Sequence, residues 1–96
     1  MAKKGDRVGA ILSADKEGVR FLGYGTYLGD EVPSEEAVGL ADTLREAKIT
    51  NPKIELDNGK IVWGCECWWG SEAKVREQIK DQKIIETDIE LVRQES

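Results

Sequence analysis

Hydrophobic and polar residues alternate at both strand and helix periods, and the changes of period mark the elements. Residues 7–13 (Arg-Val-Gly-Ala-Ile-Leu-Ser) alternate weakly and read as a strand. Residues 19–24 read as its partner across the turn Asp15-Lys16-Glu17-Gly18, giving an antiparallel hairpin. Residues 25–33 follow as a glycine-rich, acidic connection containing Tyr27, Asp30 and Glu31. Pro33, Ser34, Glu35 and Glu36 then signal a helix start, with a hydroxyl N-cap and acids in the first turn. Ala37, Leu40, Ala41, Leu44 and Ala47 recur at helical spacing as one apolar stripe. The helix is expected to end near Lys48, before Asn51-Pro52.

Asn58-Gly59 suits a two-residue type I′ turn and predicts a second hairpin. Counting outward pairs Asp57 with Lys60, Leu56 with Ile61, Glu55 with Val62 and Ile54 with Trp63. Continuing that strand without a bulge puts Ile61, Trp63, Cys65, Cys67 and Trp69 inward, and Val62, Gly64, Glu66 and Trp68 outward. Gly64 is the place where a bulge would enter. Ser71 caps a helix over 72–82, with Val75 and Ile79 inward and a Glu72–Arg76 pair one turn apart. Residues 84–92 read as a last strand, with Ile85, Ile89 and Leu91 toward the core. The order β-β-α-β-β-α-β predicts one α+β domain over 1–96, frayed at 1–6 and 94–96. Its sheet is expected to be mainly antiparallel and strongly twisted, or a partly open barrel, with two helices.

Against this frame one segment stands out. Residues 63–71 (Trp-Gly-Cys-Glu-Cys-Trp-Trp-Gly-Ser) hold all three tryptophans and both cysteines, directly before a helix start. A helix N-terminus carries amides without intrahelical partners and a positive dipole end, so an anion can dock there beside Ser71. Trp68, outward, can stack a flat ring, and such a stack contributes roughly 1–3 kcal/mol. The plainer reading makes Ser71 only a cap and leaves Trp68 to intramolecular packing or a protein interface. Glu66, beside Trp68, is either a solvated carboxylate or an acceptor for a ligand's amino, amide or hydroxyl group. Tyr24 and Tyr27 lie in a glycine-rich stretch that lacks the strand–GxGxxG–helix layout of a dinucleotide site. They read as packed rings or as a ligand-facing loop.

Composition narrows the chemistry. The 96 residues contain no histidine, which removes Ser–His and Cys–His nucleophiles and His-containing zinc sites. Cysteines two apart on one strand face have Cα atoms about 6.5–7 Å apart, at or beyond the limit for an unstrained disulfide. They read as buried thiols, with four-cysteine zinc across a dimer as the minor alternative. A net charge of −5 argues against a nucleic-acid polymer as partner. No signal peptide or membrane span is legible, so a cytoplasmic protein is expected. The short acidic chain and its hairpin–helix layout are similar to many small proteins of bacteria and their viruses, a likeness that transfers no residue roles.

The expectation is therefore a non-catalytic binding module, with no cofactor and no metal. It binds or sequesters a small anionic, ring-bearing ligand, a nucleotide or nucleotide-derived signal. Tyr24, Tyr27, Gly64, Glu66, Trp68, Trp69, Gly70 and Ser71 are the candidate site. A protein–protein interaction subunit, including a homo-oligomer, anchored by Trp68 and the Tyr24–Tyr27 loop is the alternative. A small enzyme using Glu66 or another carboxylate with bound metal is the third and weakest reading, because the usual catalytic groups are missing.

Overall fold

The computed structural model describes residues 2–38 and 40–95. Gly39, inside the first expected helix, and Met1 and Ser96, at the ends expected to fray, lie outside the described residues. Strands β1 (Arg7–Asp15) and β2 (Gly18–Glu31) form the first hairpin. The chain continues through α1 (Ala41–Ala47), β3 (Asn51–Leu56) and β4 (Ile61–Trp63). A 3-10 turn at Gly64–Glu66 leads to β5 (Trp68–Ser71) and α2 (Glu72–Ile79). Last come β6 (Ile84–Glu86) and α3 (Ile89–Gln94). The fold is α+β, with six strands in one unclosed, mainly antiparallel sheet and three helices among the described residues.

Strand order is β4-β3-β2-β1-β5, and β6 pairs with β2 in the only parallel contact among the described residues. Its two ends are joined by just residues 64–67. Four inter-strand steps in a flat sheet span about 19 Å. Five residue steps reach at most about 18 Å fully extended, and a 3-10 turn covers much less. The sheet therefore curls. Segment 61–71 acts as one bent strand, pairing first with β3 and then with β1.

The concave side encloses Val8, Ala10, Leu22, Ile54, Leu56 and Val62, and Ile89 of α3 plugs it. The largest fully buried side chains are four of these, Val8, Ile54, Val62 and Ile89. Each such burial stabilises by roughly 1.5–3 kcal/mol. On the other side α2 lays Val75 and Ile79 onto Val19, Ile11 and Phe21. A third cluster joins Trp63 to Ala37 and Ala41.

The first hairpin, the α2 cap at Ser71 and the inward Val75 and Ile79 stand as read from the sequence. Other expectations are corrected. Residues 25–31 are not a connection: β2 runs on through them to pair with β3. The first helix does not start at Ser34. Helical bonding begins at Ala41, after Leu40, with no side-chain cap. Within the expected stripe Ala37 and Ala41 are buried, whereas Leu40 and Ala47 are exposed. One reason is tertiary capture, since the Val38 N–H donates to the Glu66 carboxylate at 3.1 Å instead of to a helical carbonyl. Glycine within the stretch also disfavours helix by about 1 kcal/mol.

The second hairpin is one residue out of the expected register. Ile54 pairs with Val62 and Lys53 with Trp63. The loop has three residues, Asp57-Asn58-Gly59, closed by Leu56 N–H to the Lys60 carbonyl at 2.8 Å, with Gly59 at φ 88°. That is a turn followed by a left-handed glycine, for which a three-residue hairpin is the usual setting. Asp57 leaves the ladder because its N–H donates to the Tyr24 carbonyl at 2.9 Å. The slip turns Val62 into the main core and Trp63 into the cluster with Ala37 and Ala41. Helix α2 stops at Ile79, short of Gln82. The expected strand 84–92 breaks after Glu86, where Asp88 caps α3, and Leu91 is exposed rather than in the core. Apolar residues at 85, 89 and 92 fit a helical spacing as well as 85, 89 and 91 fit a strand.

Candidate functional site

Trp68 and Trp69 turn to opposite sides of β5. Trp69 packs against the main core and stacks on Tyr27, with ring centroids 5.3 Å apart and 15° between planes. Tyr27 in turn donates its hydroxyl to Asp30 at 2.5 Å, which pushes its own pKa up. Trp68 is 77% exposed, the most open of the large hydrophobic side chains. It borders a cleft of about 210 Å³ between β5 and α2, walled by Ile11, Val75, Lys74 and Gln78. On the other side of Trp69-Gly70 lies a cleft of about 470 Å³, bordered by Arg7, Ser71 and Lys74. Gly70 and Lys74 line both.

Ser71 ends β5 and caps α2, its hydroxyl accepting from Lys74 N–H at 3.3 Å. The amides of a first helical turn lack intrahelical partners and favour negative charge. Glu72 occupies that turn with its own carboxylate, so an incoming anion meets competition as well as attraction. Arg7 is already engaged. Its fork donates to both oxygens of Asp57 at 2.7 Å, and its Nε lies 3.5 Å from Glu72. This pairing raises the Arg7 pKa and lowers that of Asp57. Arg76 pairs with Glu72 at 3.0 Å and sits 4.5 Å over the Tyr24 ring. Lys74 makes no ion pair among the described residues.

Of the residues expected at the site, the structure brings together Trp68, Trp69, Gly70 and Ser71, with Tyr27 behind Trp69. Tyr24 is elsewhere, edge-on to Phe21 at 4.9 Å under α2. The two tyrosines belong to different clusters, because alternation along β2 separates them. Gly64 is packed backbone-on against Pro52, where an added Cβ would come within 2.9 Å of the ring.

Glu66 is not on the outer face. The 3-10 turn rotates it inward, and its side chain is wholly buried. It accepts from Arg93 at 2.9 and 2.8 Å, from Trp63 N–H at 3.1 Å and from Val38 N–H at 3.1 Å. Arg93 also donates to the Ile61 carbonyl at 2.8 Å. With four donors on two oxygens, Glu66 ties the turn, the lead-in to α1 and the C-terminal helix together. No acceptor capacity is turned toward the clefts.

Arg93, Lys74 and Gln78 were not singled out by sequence reasoning. Lys74 was findable, since the third residue after an N-cap stands in the first turn. Arg93 carries no local signal. Both cysteines are free thiols. Burial pushes Cys67 up to about 12 and raises Cys65 as well, so neither is a ready thiolate. Trp63 is buried with its indole N–H unpaired among the described residues, and Lys53 lies 5.8 Å over its ring. Among the described residues no three His, Cys, Asp or Glu side chains gather as a metal set, and no helix is long and apolar enough to cross a membrane. No protein-family model matches this chain, and no curated protein or solved structure matches it.

Proposed function

We propose that this protein is a non-catalytic binding module that holds, and so sequesters, a small anionic, ring-bearing ligand such as a nucleotide or nucleotide-derived signal. One observation carries the reading: Trp68 is 77% exposed at the border of a cleft beside the start of α2. An indole left in water loses the stabilisation of burial, and a flat ring stacked on it recovers that contact. Lys74, lining both clefts, supplies the charge that an anion needs. Trp69 and Tyr27 back the strand as a rigid support.

The test is titration of the native protein with a nucleotide panel, followed by calorimetry and tryptophan emission. Binding is expected to quench the Trp68 component. Trp68→Ala should weaken it by about 5- to 150-fold, the equivalent of one aromatic–base stack of roughly 1–3 kcal/mol. Absence of heat together with unchanged emission across the panel overturns the reading.

The exposed position of Trp68 on β5, an edge strand, also favours an interaction subunit. Tyr24 and Tyr27 do not share a cluster and so do not join Trp68 as one set of anchors. Light scattering separates the readings: a dimer that Trp68→Ala dissolves supports the interface, and a monomer at high concentration counts against self-association.

A further inference from the structure

Asp6, Arg7 and Lys74 stand at the cleft beside Ser71, and Glu72 reaches it through Arg7. Of the two cations, Arg7 is held on Asp57 by two 2.7 Å bonds and leans on Glu72 at 3.5 Å. Lys74 has no ion pair among the described residues and borders both clefts. Lys74 is therefore the one cleft-lining cation outside an ion pair among the described residues, and the Asp6 carboxylate lines the same cleft. A first negative charge on a ligand meets Lys74. A second meets no other uncommitted cation among the described residues that line the cleft, and the Asp6 carboxylate there repels it. On the far side of Gly70 the walls are Trp68, Ile11 and Val75, with the Gln78 amide as a paired donor and acceptor at the rim. That combination suits a flat, hydrogen-bonding ring joined to a single anionic group.

We propose that this site selects a ring-bearing monoanion, of which a 3′,5′-cyclic purine mononucleotide is the representative, over ligands bearing two or more negative charges. The proposal rests on the binding reading of the Trp68 cleft and adds its charge selectivity. A phosphodiester carries one charge, whereas a phosphate monoester carries about 1.5–2 at neutral pH and a triphosphate more.

Calorimetry on the full chain at fixed ionic strength, with adenosine, adenosine 3′,5′-cyclic monophosphate, AMP and ATP, tests it. The cyclic nucleotide is expected to bind at least tenfold more tightly than ATP and more tightly than adenosine. Lys74→Gln should bring it down to the affinity of adenosine, with the fold checked by circular dichroism. Affinity that rises with the number of phosphates overturns the charge assignment while leaving the binding site standing. Silence from all four probes, with Trp68 emission unchanged, overturns the site and the selectivity together.

Discussion

Glu66 and Trp68 are two residues apart, were both expected on the outer face, and have opposite fates. The indole stays out because β5 resumes strand geometry at Trp68. The carboxylate goes in because Glu66 ends a 3-10 turn, which breaks the alternation on which the outward assignment depended. Removing one partner of a buried ion pair leaves the other charge unpaired, at a cost of about 3–5 kcal/mol. Glu66→Ala strands Arg93 and two backbone amides together, so a loss of that size is expected in urea unfolding. Trp68→Ala, at an exposed position, should change stability by less than about 0.5 kcal/mol. Equal losses for the two variants would contradict the assigned roles. The place of Trp68 beside the α2 cap was legible in the chain, although the unbroken alternation that put it outward fails at Val62 and Glu66. Burial of Glu66 was not, because its partner Arg93 lies 27 residues away and nothing local announces the pair.

At the scale of elements, α3 is the part most open to a change of conditions. It has only six residues, too few to be helical alone in water. Ile89 in the core, Arg93 on Glu66 and Asp88 at the N-cap hold it. The Lys60 ammonium donates to both Asp88 oxygens at 2.8 Å and the Glu90 N–H adds a bond of 2.9 Å, which together hold the Asp88 carboxyl below the usual carboxylate range. A depressed carboxylate favours the folded state when ionised. Its contribution is complete above the unfolded value of about 3.9 and is lost as pH falls toward the folded one. Exchange protection of α3 amides should therefore hold from neutral pH to about 4 and decline below it. Asp88→Asn keeps a capping side chain but cannot titrate, so it should remove that share of the decline. An identical acid profile in the variant would rule out Asp88 as the source. The same element shows why the sequence misled: three apolar residues at 85, 89 and 91 satisfy a strand period, and only docking of Ile89 and Arg93 makes the helix the better solution.

Across the whole molecule, the bend at residues 64–67 lets one chain segment join both ends of the sheet. Gly64 is its tight point. An added Cβ would meet Pro52 at 2.9 Å, and overpacking of this kind costs about 1–3 kcal/mol. Gly64→Ala should lower stability by that amount and reduce exchange protection in the β3–β4 and β1–β5 ladders together. Loss confined to one ladder would show that the segment does not couple them. Periodicity, turn residues and the Ser71 cap were enough to reveal the α+β class, the first hairpin and α2, since each is written in neighbours a few residues apart. The hairpin register, the late start of α1, the helix at the C-terminus, the burial of Glu66 and the separation of Tyr24 from Tyr27 had to wait for packing. Each is settled by contacts between distant residues (Asp57 with Arg7 and Tyr24, Val38 and Arg93 with Glu66), and in a packed interior those contacts outweigh local preferences of a few tenths of a kcal/mol to about 1 kcal/mol per residue.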